Sequence, residues 1–153
     1  MKAPSNPNAC KRRLGYLQVI ERLGQTPHVI RVKGEGWNFE EIGRHGGARA
    51  LADGRVRTDT VLCSNDRLAI GFLTACYEAG LRVGHGDGCV LRVAGQDDHP
   101  LSRHACPPLT TVAQDYEAIS RLAVEALFRG IASDASAGQA TLFEGRLVMR
   151  DSA

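Results

Sequence analysis

Stretches whose apolar residues recur every three or four positions alternate along the chain with short runs of branched apolar residues. Leu14, Leu17, Ile20 and Leu23 form one helical stripe, stopped by Gly24 and Pro27. His28-Val29-Ile30-Arg31-Val32 alternates and is β-branched, which predicts a strand, and Gly34-Glu35-Gly36 predicts a turn. Asn38 and Glu41 have the spacing of a capping box. The helix they open is expected to reach about Ala52, weakened by Gly46-Gly47. Thr60-Val61-Leu62-Cys63 predicts a buried strand, and Asn65-Asp66 at its carboxyl end can cap the next helix. That helix puts Leu68, Phe72, Ala75, Cys76 and Ala79 on one side and closes at Gly80.

Gly84-His85-Gly86-Asp87-Gly88 connects to a third strand at 89–94, and a long loop follows over 95–109. Pro107-Pro108 forces an extended stretch into Thr110-Thr111-Val112. A helix is expected over 114–131, with Ile119, Leu122, Ala123, Ala126 and Leu127 on one face. Small polar residues at 133–139 read as a linker, and Thr141-Leu142-Phe143 and Leu147-Val148-Met149 read as closing strands. Residues 1–9 are polar, hold two prolines and read as a loose tail. Strands alternating with helices predict an α/β fold, a mainly parallel sheet flanked by helices. Right-handed crossovers place the loops after each strand on one edge, where ligands of open sheets bind. Those loops are 33–38, 64–66 and 95–106.

The 153 residues are enough for one domain, and 43% hydrophobic with 24% charged residues is ordinary for a globular fold. A net charge of +2 does not make a nucleic-acid surface, and Lys11-Arg12-Arg13 by itself reads as a solvated helix start. No apolar run approaches the roughly 18 residues of a membrane span. The first residues lack the apolar stretch of an export signal, so a cytoplasmic location and no membrane partner are expected. The five cysteines are odd in number and form no C-x-x-C pair, which favours reduced thiols.

The glycine clusters match neither G-x-G-x-x-G nor a phosphate loop, so they read as turns. Asp97, Asp98, His99, His104 and Cys106 are zinc-type ligands, but their spacing is not a usual zinc pattern. Adjacent carboxylates on a loop diverge and make a poor acid–base pair. Ser64 and Ser102 have no evident activating base, and no G-x-S-x-G is present. No metal, no cofactor and no catalytic residue is expected. An Asp or Asn at a strand's end with a Trp in a neighbouring loop suits a polyol. Carboxylates and amides bond hydroxyls directionally, and an indole covers the C–H face of a sugar ring. Packing is the commoner role of a lone Trp, and at this point both readings stand.

Five segments, in order, bear a resemblance. They are Cys63-Ser64-Asn65-Asp66-Arg67-Leu68-Ala69-Ile70-Gly71, Glu78-Ala79-Gly80-Leu81-Arg82-Val83, Ala94-Gly95-Gln96-Asp97-Asp98, Pro107-Pro108-Leu109-Thr110-Thr111-Val112 with Gln114-Asp115-Tyr116, and Leu147-Val148-Met149-Arg150-Asp151-Ser152. Together they resemble the LacI/GalR (lactose-repressor/galactose-repressor) family over about residues 10–152. The resemblance implies a periplasmic-binding-protein-like (type I) C-terminal subdomain. Residues 10–153 would form a partial sugar-binding effector domain, with the helix at 114–131 belonging to a missing first subdomain. It implies a transcription regulator that answers to a sugar or nucleoside and meets DNA only through a helix-turn-helix absent from this chain. It implies ligand contacts at Arg12, from Arg12-Arg13-Leu14-Gly15-Tyr16, and at Trp37, Asn65 and Asp97. Three features depart from the family pattern: the glycine-rich turn at 84–88, Gln96 where an aromatic is common, and Gly46-Gly47 in a usually alanine-rich helix.

With half of a two-walled pocket, binding no tighter than about millimolar is expected. The uncovered helix at 114–131 is expected to drive self-association, so a homo-oligomer is the expected state. The rival readings are a sugar-binding protein of a transport system, or a small-molecule enzyme using Asp97, Asp98 and His99.

Overall fold

The computed structural model describes residues 6–34, 36–132 and 141–153. Helix α1 (Pro7–Arg22) starts earlier than the expected tail allows. Asn6 accepts from the amides of Asn8 and Ala9 at 2.8 and 3.3 Å, and Pro7 suits a first helical turn, which needs no amide donor. Of the tail expected at 1–9, residues 7–9 are therefore helical and Asn6 is the cap, and residues 1–5 lie outside the described residues.

No strand forms at 28–32. The alternation supplies a face, but no neighbouring strand takes up the backbone. His28 instead exchanges its amide and carbonyl with the Tyr16 hydroxyl, at 3.2 and 3.4 Å. Val32 lies against α2, filling the space beside Gly46.

Helices α2 (Phe39–Ala52) and α3 (Asp66–Glu78) form the main packed pair. The capping box expected at Asn38 does not form, since the Asn38 side chain makes no cap bond. The Asn65 cap does form, accepting from the Leu68 amide at 2.8 Å. Glycines let the helices meet closely. A Cβ on Gly43 would strike the Leu68 carbonyl, and one on Gly47 the Phe72 ring. The Gly46-Gly47 pair, expected to weaken α2, thus makes room for Val32 on one side and α3 on the other.

Strand β1 (Thr60–Leu62) pairs in parallel with β2 (Arg92–Ala94), aligning Val61 with Val93. Strand β3 (Thr111–Ala113) pairs antiparallel with β4 (Arg146–Val148). Parallel bridges at Ala94–Thr110 and Asp97–Ala113 join the two pairs. The mainly parallel α/β fold flanked by helices is therefore present, with an antiparallel last strand. β1 is not buried as expected: it has a strand on one side only, and Leu62 is half exposed. Residues 141–145 form no strand, and the expected linker at 133–139 lies outside the described residues.

The core consists of Ala69, Phe72, Leu73, Cys76, Leu91, Val93 and Leu109. Burial pushes the Cys76 thiol up to about 11 and the Cys63 thiol up to about 12, so both stay protonated and behave as small apolar groups. Ser152 is fully buried and stitches the chain end to the sheet, donating to the Val93 carbonyl and accepting from the Thr110 amide. Helix α4 (Tyr116–Ala132) is different: Val124, Leu127 and Phe128 are all more than half exposed. No helix among the described residues is long and apolar enough to cross a membrane.

Candidate functional site

Parallel strands deliver the loops after β1, β2 and β3 to one edge, and Asp66 ties them together. Its carboxylate is 1% exposed. It accepts from the Ser102 hydroxyl and the His99 amide on one oxygen, at 2.6 and 2.8 Å, and from the Thr111 hydroxyl on the other, at 2.6 Å. Its own amide donates to the Gln96 carbonyl at 2.9 Å. The backbone at Gly95 passes so close that a Cβ there would collide with the Asp66 carboxylate. The start of α3, the segment after β2 and the first residue of β3 thus share one buried carboxylate at the N-terminus of α3, where the helix dipole also favours negative charge.

Above this anchor, Asp97 stands with a left-handed backbone, φ 116°. Such a conformation costs a non-glycine residue on the order of 1–3 kcal/mol and persists only where surrounding bonds hold it. The Asp97 amide donates to the Val112 carbonyl at 2.9 Å. Arg12, reaching across from α1, grips both carboxylate oxygens of Asp97 and also donates to the Ser64 carbonyl at 2.6 Å. The Gln114 amide donates to the same carboxylate at 2.8 Å. The Tyr116 hydroxyl lies 3.3 Å from the Asp97 carbonyl and donates to it. Burial, then the Asp97 carboxylate, pushes the Tyr116 phenol up, which keeps it a donor.

The four residues singled out in the sequence therefore divide. Arg12 and Asp97 are in direct contact. Asn65 adjoins them through Ser64, whose carbonyl Arg12 holds, but its side-chain oxygen is committed to capping α3. Trp37 is 75% exposed and touches neither Arg12 nor Asp97 in this structure. Its ring meets Phe39 edge-on at 5.8 Å, Phe39 lies under the Arg67 guanidinium at 5.4 Å, and Arg67 forms a two-pronged pair with Glu40. Trp37 thus connects to the Asn65 end of α3 through an aromatic and ionic relay.

Several contributors escaped the sequence reading. Gln114 and Tyr116 lie in a segment read as a helix start and for its resemblance, and nothing in local periodicity aims them at Asp97. Glu40 and Arg67 are 27 positions apart, so no helical spacing pairs them. Asp66 was read as a cap, whereas its carboxylate organises the loops.

Asp98 pairs with Arg150 at 2.6 Å, and Arg150 also donates to the Leu109 carbonyl. The His99 ring nitrogen accepts from the Leu101 amide at 3.2 Å. Asp97, Asp98 and His99 are thus each engaged with a separate partner, which is an arrangement for holding rather than for moving a proton. Among the described residues no three His, Cys, Asp or Glu side chains gather as metal ligands.

Comparison with known proteins places the fold in a family. The family model for the periplasmic binding protein-like domain matches residues 1–153. The ribose operon repressor of Haemophilus influenzae is 31% identical over 146 residues, which span 94% of this chain and 42% of that protein. A Lac repressor dimer bound to operator and the anti-inducer ONPF superposes with a TM-score of 0.78 at 29% identity, over 94% of this chain and 48% of that one. A LacI family regulator from Arthrobacter sp. FB24 in complex with lactose gives a TM-score of 0.72 at 30% identity, over 89% and 48%. The chain spans less than half the length of these relatives, which are named as regulators of transcription and not as enzymes. The chain belongs to the periplasmic-binding-protein-like domain family, in the form found in the C-terminal portion of LacI/GalR-type regulators.

Proposed function

We propose that this chain is the effector-binding part of a sugar- or nucleoside-responsive transcription regulator. It binds its effector at the rim formed by Arg12, Trp37, Asn65 and Asp97, without transforming it. The observation that carries the reading is the Arg12–Asp97 pair, which spans two separate elements and presents a donor and an acceptor side by side. A vicinal diol fits such a pair: one hydroxyl donates to the carboxylate while its neighbour accepts from the guanidinium. Trp37, largely exposed, has a free face for the C–H side of the ring. The relatives support the class of ligand, one being a ribose operon repressor and another holding lactose.

One wall of a cleft leaves the ligand half solvated, so this chain by itself is expected to bind no tighter than about millimolar, near −4 kcal/mol. Arg12→Ala is expected to weaken binding of the responsive sugar by roughly tenfold or more, the loss of about one charge-assisted bond. Amide chemical-shift titration of the chain against a panel of pentoses, hexoses and nucleosides measures this. The same affinity before and after the substitution would remove the rim from the binding site.

The effector part also pairs with itself through α4, whose Val124, Leu127 and Phe128 lie open to solvent. An apolar ridge on an otherwise charged helix is stabilised by covering it. Sedimentation equilibrium at micromolar concentration is expected to show a concentration-dependent oligomer that Leu127→Lys shifts toward monomer. A monodisperse monomer at all concentrations would contradict the pairing.

A further inference from the structure

The next inference rests on the polyol-site reading and concerns which class of polyol the rim admits. Glu40 sits in the first turn of α2, beside Phe39. Its two oxygens meet the Nε and Nη2 of Arg67, each at 2.6 Å. Both side chains keep about a third of their surface exposed, so the pair stands at the surface and not in the core. The Arg67 guanidinium also covers the Phe39 ring, and that ring touches Trp37. Arg67 is therefore the cation nearest the exposed indole along this relay, and a carboxylate already fills its binding edge.

The rest of the rim repeats this pattern. Asp97 occupies Arg12, Asp98 occupies Arg150, and Asp66 lies buried beneath. Three guanidiniums thus stand among four carboxylates. Phosphate and carboxylate ligands are recognised by guanidinium edges that are free to donate two parallel bonds, in a field of positive sign. At Arg12, Arg67 and Arg150 a carboxylate already takes up the guanidinium. The hydroxyls of an uncharged ligand ask for neither, since they can be shared between a carboxylate and its arginine. Arg67 holds Glu40 below the usual carboxylate range, chiefly through its hydrogen bonds, so the pairing persists through neutral pH.

We propose that Glu40 sets the charge selectivity of the rim: by occupying Arg67 it restricts the effector to uncharged polyols and turns away phosphorylated and acidic sugars.

Matched pairs test this: ribose against ribose 5-phosphate, and galactose against galacturonate. Each is titrated into the 15N-labelled chain and followed at the rim amides, at low and at high salt. In the unsubstituted chain each anionic sugar is expected to bind at least about tenfold more weakly than its neutral counterpart. Glu40→Gln frees the Arg67 edge and keeps a side chain of the same shape. It is expected to strengthen the anionic sugars relative to their neutral counterparts roughly three- to tenfold at low salt and less at high salt. Glu41→Gln, the same charge change one residue along at a carboxylate beside His45, is expected to leave all four affinities unchanged.

Anionic sugars that bind as tightly as neutral ones in the unsubstituted chain would overturn the proposal while leaving the polyol site standing. So would the absence of any gain in a folded Glu40→Gln chain, or an equal gain in Glu41→Gln. If none of the four sugars moves a rim amide, the selectivity falls together with the polyol site itself. The comparison within the unsubstituted chain needs no variant and can overturn the proposal even if Glu40→Gln fails to fold, and Glu40→Ala is then the variant that must show the gain.

Discussion

Asp66→Ala is expected to destabilise the chain by about 3–5 kcal/mol, seen as a lower urea midpoint at unchanged slope. The substitution strips three donors of their acceptor: the Ser102 and Thr111 hydroxyls and the His99 amide. A buried donor without a partner costs roughly 1–3 kcal/mol. Water entering the space left behind recovers part of that, which holds the sum below the simple total. Asp66→Asn keeps one acceptor oxygen and is expected to lose about half as much. A shift of under about 1 kcal/mol for Asp66→Ala would mean that the loops hold their places by other contacts. The effect differs in kind from that of Arg12→Ala, which leaves the Asp66 bonds in place and removes a part-buried contact to Asp97 and Ser64.

Gly71→Ala is expected to cost about 3 kcal/mol, the upper part of the range for forcing an added methyl into a packed interface. The new Cβ would press on the Glu40 carbonyl and stand 2.7 Å from the Arg44 amide nitrogen. These are backbone atoms of α2, so no side chain can swing away and the two helices must move apart. Gly15→Ala is the internal control. Nothing lies within 4 Å of a Cβ at that position, and it is inside α1. There the higher helix propensity of alanine is expected to raise stability by roughly 0.5–1 kcal/mol. Thermal melts of the two variants should move in opposite directions. If both fell together, the close approach of α2 and α3 would not be what the glycine serves.

These two positions also show which features a sequence reveals. The helices at 66–78 and 116–132 were legible because each carries a regular apolar stripe, and the Asn65 cap because its partner is three residues away, whereas the helix at 39–52 was read from a capping box that does not form. Gly71 was not marked as a contact point, because a helix interior carries no local sign of what lies opposite it. The strand expected at 28–32 has the right alternation, but a strand also needs a neighbour, and the neighbour is a tertiary fact. The same limit governs the rim. Arg12 and Asp97, 85 positions apart, were named through a resemblance to a family and not through spacing. Their partners Gln114 and Tyr116, like the Glu40–Arg67 pair, come together only once the loops have folded against one another. Trp37 was visible as the only tryptophan of the chain, but its position outside the Arg12–Asp97 contact was not.

The twisted backbone at Asp97 carries a consequence for how this rim could drift over generations. Its φ of 116° is territory that glycine enters at little cost. A change to glycine there would ease the chain while erasing the carboxylate. The relief of strain, roughly 1–3 kcal/mol, is set against the loss of the carboxylate that holds Arg12 and Gln114, so such a variant gives up the Arg12–Asp97 contact without a net gain in stability. Glycine at this residue therefore relaxes the backbone only by dismantling the contact that ties α1 to the rim.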